Sequence, residues 1–84
     1  MEIEFSPKFK KAFDKLPLEE RKAAVNKIEI LRINPFDPVL KTHKLHGLLK
    51  KYFALSVNYK KRIIFSIESG RTIRLHTVGN HNIY

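Results

Sequence analysis

The stretch "NPFDP", residues 34–38, divides the chain into two parts with different hydrophobic periods. Proline removes a backbone donor and pushes the preceding residue out of the helical region, so no helix continues through this point. Ahead of it, Phe9, Ala12, Phe13 and Leu16 recur at helical spacing, and Val25, Ile28 and Leu31 continue such a stripe with Ala24 beside it. Behind it, apolar residues alternate with polar ones, the period of a strand. A chain whose long apolar stripes change period at a proline pair is constrained to a helical part followed by a sheet-forming part.

The punctuation refines this. "EIEF" alternates and predicts a short first strand. Ser6-Pro7 has the form of a helix start, with serine as N-cap and proline at the first helical position. Pro17 breaks that helix, and Leu18 begins a second, with Glu19 and Glu20 suited to its positive end. The second helix ends near Ile33. In "KYFALSVN", Phe53, Leu55 and Val57 share one side; in "RIIFSIE", Ile63, Phe65 and Ile67 do; in "RTIRLHTV", Ile73 and Leu75 alternate against Arg74 and His76. Ser69-Gly70 is a hairpin signal. The expectation is one α+β domain over residues 1–84, β-α-α-β-β-β, an antiparallel sheet with a two-helix hairpin packed on one face. The helices cover the Phe53/Leu55/Ile63/Phe65/Ile73/Leu75 side. The other side then turns Ser56, Arg62, Arg74 and His76 to solvent.

Charge is segregated. Residues 1–37 hold eight basic and seven acidic side chains, whereas residues 38–84 hold nine basic and one acidic, Glu68. Between Pro38 and Ile67 there is no acid. A positive field on one half suits a polyanion or an acidic protein, and solubility alone does not require it. Cysteine is absent, which excludes disulfides and thiolate metal sites. No apolar run reaches the length of a membrane span, and "MEIEFSPKFKK" lacks a signal-peptide layout, so a cytoplasmic protein is expected.

The candidate chemical groups are His43, Lys44, His46, Lys50, Lys51, Arg62, Arg74, His76, His81 and Tyr84. A zinc site from His43, His46, His76 and His81 would need a third placed ligand beside the His-x-x-His pair. A serine triad lacks an acid, and a phosphate loop lacks its glycines. The set does suit RNA. Lysine and arginine neutralise phosphates, and an exposed tyrosine stacks on a base. Metal-free RNA cleavage needs a base for the 2′-hydroxyl, a cation at the phosphorus oxygens and an acid for the leaving 5′ oxygen. Histidine supplies base or acid, and arginine grips two oxygens. The same residues admit plainer roles. His43 and His46 can be polar loop residues, Arg62 a solvated strand residue, Lys50-Lys51 and Lys60-Lys61 guards against edge pairing, and Tyr84 a core anchor.

The run "LKTHKLHG", the strand "RIIF" and the closing Gly-x-His-x-x-Tyr, in this order and at these spacings, resemble the RelE/ParE superfamily of bacterial toxins. The resemblance spans essentially the whole chain and is nearest to the RelE, YoeB and YafQ mRNA interferases. It implies the β-α-α-β-β-β arrangement and an RNA site on the sheet face away from the helices. It implies His43 as general base, Arg62 as phosphate clamp, His81 as general acid and Tyr84 as the base-stacking group. Lys44, His46, Lys50, Lys51 and Arg74 would bind RNA. The implied function is a metal-free endoribonuclease cleaving mRNA in the ribosomal A site. The implied partners are an acidic antitoxin, the ribosome and mRNA, with no cofactor. Ser56 and Lys60 depart from the pattern, standing where YafQ-like members have histidine and aspartate. The gyrase-inhibiting ParE branch and an inactive binding module are alternatives on the same fold.

Overall fold

Ser6 fixes the start of the first helix. Its side chain accepts from the Phe9 amide at 3.0 Å and donates to the His76 carbonyl at 3.0 Å, which ties the helix start to the last strand. The computed structural model describes residues 1–83. After strand β1 (Glu2–Phe5) come helices α1 (Pro7–Asp14) and α2 (Leu18–Ile33). Pro17 caps α2, with Glu19 and Glu20 in its first turn and Arg32 in its last. Beyond the Asn34 cap follow four strands: β2 (His43–Lys44), β3 (Phe53–Ser56), β4 (Lys61–Ile67) and β5 (Thr72–Asn80). A turn at Ser69-Gly70 joins β4 to β5, with Gly70 at a φ of 81°, where a side chain would be strained.

The sheet order is β1-β5-β4-β3-β2. This corrects the expected sheet in two respects. β1 runs parallel to β5, pairing Ile3 with Ile73 and Phe5 with Leu75, so the sheet is mixed. Parallel neighbours need a long crossover, and the rest of the chain supplies it. Alternation in "EIEF" carries no information on strand direction. The second correction is a fifth strand. His43 pairs with Ala54 and Lys44 with Phe53, and a strand of two residues is too short to show a period.

The helices cover the expected face. Phe9, Leu16, Ala24, Ile28 and Leu31 pack against Leu55, Val57, Ile63, Phe65, Ile73, Leu75 and Val78. The buried line of α2 passes through Ala24, Ile28 and Leu31, leaving Val25 half exposed. The opposite face is less open than expected. Leu45, Ala54 and Ile64 form a second small cluster with Leu49 and Tyr52, because the segment before β3 folds over the apolar residues that alternation turns outward. Ser66 is buried and His76 half-buried on this side. Among the described residues, no helix is long and apolar enough to cross a membrane.

Candidate functional site

The turn between β3 and β4 is organised by Asn58. Its Oδ1 accepts from the amides of Lys60 at 2.9 Å and Lys61 at 2.8 Å, as asparagine does when it closes a turn on itself. Its amide nitrogen donates to Glu20 Oε2 on α2 at 3.2 Å, and its carbonyl accepts from Ser56 Oγ at 3.0 Å. The hydrogen bond from the Asn58 amide holds the Glu20 carboxyl below the usual carboxylate range; burial opposes it next, and the Lys61 ammonium, then the Lys60 charge, add to the lowering.

Arg62 grows out of this turn. Its Nη1 donates to the carbonyls of Asn58 at 2.8 Å, Lys61 at 3.1 Å and Tyr59 at 3.3 Å. Carbonyls fix the guanidinium without neutralising it. Nη2 and Nε have no hydrogen-bond partner among the described residues, so half of the planar fork stays available for an oxyanion.

β4 and β5 bring the chain end to this arginine. Arg62 pairs with Gly79 and Lys61 with Asn80. Lys61 Nζ donates to Asn80 Oδ1 at 2.8 Å and lies 3.3 Å from Glu20 Oε1. The Lys61 and Glu20 side chains are only 18% and 16% exposed, so solvent screens this pair less than an exposed one. Lys61 thereby holds the residue just before His81, and a 3-10 turn, His81–Ile83, follows. The result is a groove of about 590 Å³ lined by Tyr59, Lys60, Arg62, Asn80, His81 and Asn82.

The structure thus gathers Arg62 and His81 into one groove and leaves the other sequence candidates around it. His43 is exposed on β2, in the row of Ala54, Ile64 and Thr77, with Nδ1 3.3 Å from the Lys41 carbonyl. Sheet spacing sets its Cα about 12 Å from that of Arg62, two strands across and two residues along. Paired residues project to the same side, so Lys44, opposite Phe53, belongs to the helix-covered face. His46, Lys50 and Lys51 are exposed around the 3-10 turn that precedes β3. Arg74 pairs with Ser66, and its Nη1 is 3.4 Å from Glu4 Oε1. Tyr84 lies outside the described residues. Sequence reading passed over Asn58, Tyr59 and Asn80. Only Asn58 had a signal, an asparagine directly after the last apolar residue of the "KYFALSVN" pattern; Tyr59 and Asn80 became relevant once the strands were paired.

Among the described residues, no three of His, Asp or Glu gather as a metal site would require. The sequence matches no family model and no curated protein. Solved structures, however, match it over nearly its full length. A copper-bound mutant toxin from Helicobacter pylori shares 23% identity at a TM-score of 0.84, covering 100% of this chain and 99% of that one. The toxin–antitoxin complex RelBE2 from Mycobacterium tuberculosis gives 20% identity and a TM-score of 0.80, covering 95% and 96%. The YoeB–YefM complex from Staphylococcus aureus gives 18% and 0.79, covering 96% and 97%. The chain has the α+β fold of the RelE- and YoeB-type toxins.

Proposed function

We propose that this protein is the toxin of a toxin–antitoxin pair and acts as a metal-free endoribonuclease on mRNA, in the ribosomal A site. The observation that carries this reading is the Arg62 guanidinium, anchored through Nη1 alone, in one groove with His81. The scissile phosphate sits on Nη2 and Nε, where charge develops as the 2′ oxygen attacks phosphorus. His43 takes the 2′-hydroxyl proton. Its distance from Arg62 is spanned by the substrate, with the ribose toward β2 and the phosphate toward β4. His81 gives a proton to the leaving 5′ oxygen. The products are a 2′,3′-cyclic phosphate and a free 5′-hydroxyl, and all the proton transfers use side chains of this chain. Tyr84 stacks on a base. His46, Lys50, Lys51 and Arg74 attract the RNA backbone, and Lys44, on the helix-covered side of the sheet edge, adds to the positive field.

The partner that restrains the toxin is an acidic protein, held by the strongly basic half of the chain, residues 38–84. The fold's likeness to the RelBE2 toxin–antitoxin complex and to the YoeB–YefM complex supports this assignment. The protein acts in the cytoplasm, where its ribosomal substrate is. A translation extract programmed with one defined mRNA tests the reading. Codon-phased cuts ending in cyclic phosphate are expected. Intact mRNA with arrested gyrase would replace it with the gyrase-inhibitor reading.

A further inference from the structure

Beside the Arg62 groove, the open face carries a second concavity of about 350 Å³. Tyr52 and Ile64 give it apolar walls, and Lys8, Arg74, His76 and Thr77 give it polar ones. A mixed lining with a few placed polar groups is the usual form of a small-molecule pocket. His76 owes its place there to an irregularity in the sheet. Ile64 pairs with Thr77 and Phe65 with Leu75, so His76 is the extra residue of a bulge, a device that re-aims side chains.

The imidazole of His76 is held in one tautomer. The Ser66 hydroxyl donates to Glu68 Oε2 at 2.6 Å, which uses its single hydrogen. His76 Nε2 lies 2.7 Å from the same Oγ, so Nε2 must donate there. In the neutral ring the lone pair is then on Nδ1, which has no partner among the described residues. Burial first, and then the Arg74 charge, favour the neutral ring, against a weaker pull from Glu68. Tyr52 meets the imidazole edge-on with ring centroids 4.9 Å apart, fixing its plane. The pocket therefore combines a flat aromatic wall, one fixed acceptor and donors on Arg74, Lys8 and Thr77.

We propose that this pocket receives one nucleobase of single-stranded RNA and selects, through His76 Nδ1, a base that carries an exocyclic amino group. The inference rests on the endoribonuclease reading and deepens it to base preference. Arg74 and Ser66 lie four residues along β4 from Arg62, about 13 Å, so the base belongs to a nucleotide near the scissile phosphate rather than to the phosphate itself. Arg74 exchanges its exposed contact with Glu4 for the RNA backbone. Cytosine and uracil are the sharpest comparison, because an amino group in one replaces a carbonyl in the other. A uracil O4 would set lone pair against lone pair at Nδ1.

Amide NMR titrations of the intact chain carrying Arg62→Ala, with CMP, AMP and UMP in turn, test this. Saturable shifts are expected at Tyr52, Ile64, Arg74 and Thr77, with CMP and AMP tighter than UMP by about fivefold or more, the scale of one neutral hydrogen bond. Ser66→Ala, which releases the tautomer, is expected to bring the CMP/UMP ratio within about twofold while both still bind. Equal affinity for CMP and UMP, an unchanged ratio in Ser66→Ala, or shifts confined to the His81 groove would overturn the proposal. Cytidine-containing tetranucleotides should bind more tightly than CMP; equal affinities would make this a free-nucleotide site and overturn the RNA assignment. Wild-type protein run in the translation assay separates the two readings. Base discrimination without mRNA cleavage keeps the pocket and removes the nuclease; phased cleavage without shifts at Tyr52 and Thr77 does the reverse.

Discussion

Arg62 Nη1 donates to the main-chain carbonyl of Asn58 at 2.8 Å, so the turn that precedes β4 holds the arginine it introduces. The contact occupies one end of the guanidinium and orients the other. It also couples Arg62 to α2, because the Asn58 side chain is hydrogen-bonded to Glu20.

Arg62→Ala is expected to lower mRNA cleavage by about 100-fold or more, the scale for losing one transition-state electrostatic contact. The fold should persist, with a loss of about 1 kcal/mol from the turn contacts. Arg62→Lys should recover only part of the rate, since an ammonium cannot both anchor to the turn and grip two oxygens. Single-turnover cleavage and thermal melting of the same variants check this. Normal cleavage by Arg62→Ala would remove the residue from the site.

Asn58→Ala should destabilise the chain by about 1–3 kcal/mol, because Glu20 and the Lys60 and Lys61 amides lose a partner together. It should also slow cleavage without weakening RNA binding to the same degree. Asn58→Asp keeps the Oδ1 acceptor but sets a carboxylate against Glu20, so it should melt below wild type and recover partly in Glu20→Gln. Urea unfolding of the single and double variants measures that coupling. Additive effects would mean that the Asn58–Glu20 contact carries no coupling.

His81→Ala should reduce cleavage by about 100- to 10,000-fold, the range for a positioned acid, and His43→Ala should fall in the same range as the base. Neither residue contributes to the buried core, so melting temperatures should hardly move. A substrate whose 5′ oxygen is replaced by sulfur needs little acid catalysis. It should rescue His81→Ala and leave His43→Ala slow. Equal rescue of both would overturn the division of roles.

Stability should fall on acidification in two windows. The His76 imidazole is held below its ordinary pKa of 6.5 by burial and Arg74. The unfolded chain therefore takes up that proton first, and stability drops as pH falls from about 6.5 to the folded-state value. Glu20, held below its ordinary 4.5 by Asn58 and Lys61, contributes stability that is present above that pH and lost below it. Urea unfolding across pH should show His76→Gln flattening only the upper window and Glu20→Gln only the lower. A His76→Gln profile that matches wild type above pH 5 would count against the first assignment.

Association with the acidic partner should weaken steadily as salt rises, since attraction between exposed charges is screened beyond about 8 Å at physiological ionic strength. Removing Lys50 and Lys51 together should slow association more than it speeds dissociation. Stopped-flow mixing at several salt concentrations reads both rates; a salt-independent association rate would contradict an electrostatic encounter.

The sequence alone determined what local chemistry can encode. Ser6-Pro7 and Pro17 set the helix starts, and the apolar spacing of Phe9, Leu16, Ile28 and Leu31 set their buried sides. Alternation in β3 to β5 assigned Leu55, Ile63, Phe65, Ile73 and Leu75 to the helix-covered face. Arg62 and His81 were legible as candidates because a cation and an imidazole suit RNA chemistry and stand in the "RIIF" and Gly-x-His-x-x-Tyr motifs that carry the resemblance. Tertiary structure alone decided the rest. The direction of β1, the two-residue β2 and the bulge at His76 depend on pairing between distant strands, which a period-two pattern does not specify. The grip of Lys61 on Asn80 and the contact of Ser66 with His76 arise from hydrogen bonds whose partners meet only after β4 and β5 take their register, and the anchoring of Arg62 by Asn58 needs the geometry of the closed β3–β4 turn. Hydrophobic patterning reports which side of an element is buried; the angular and distance demands of polar contacts are met only once the backbone is in place.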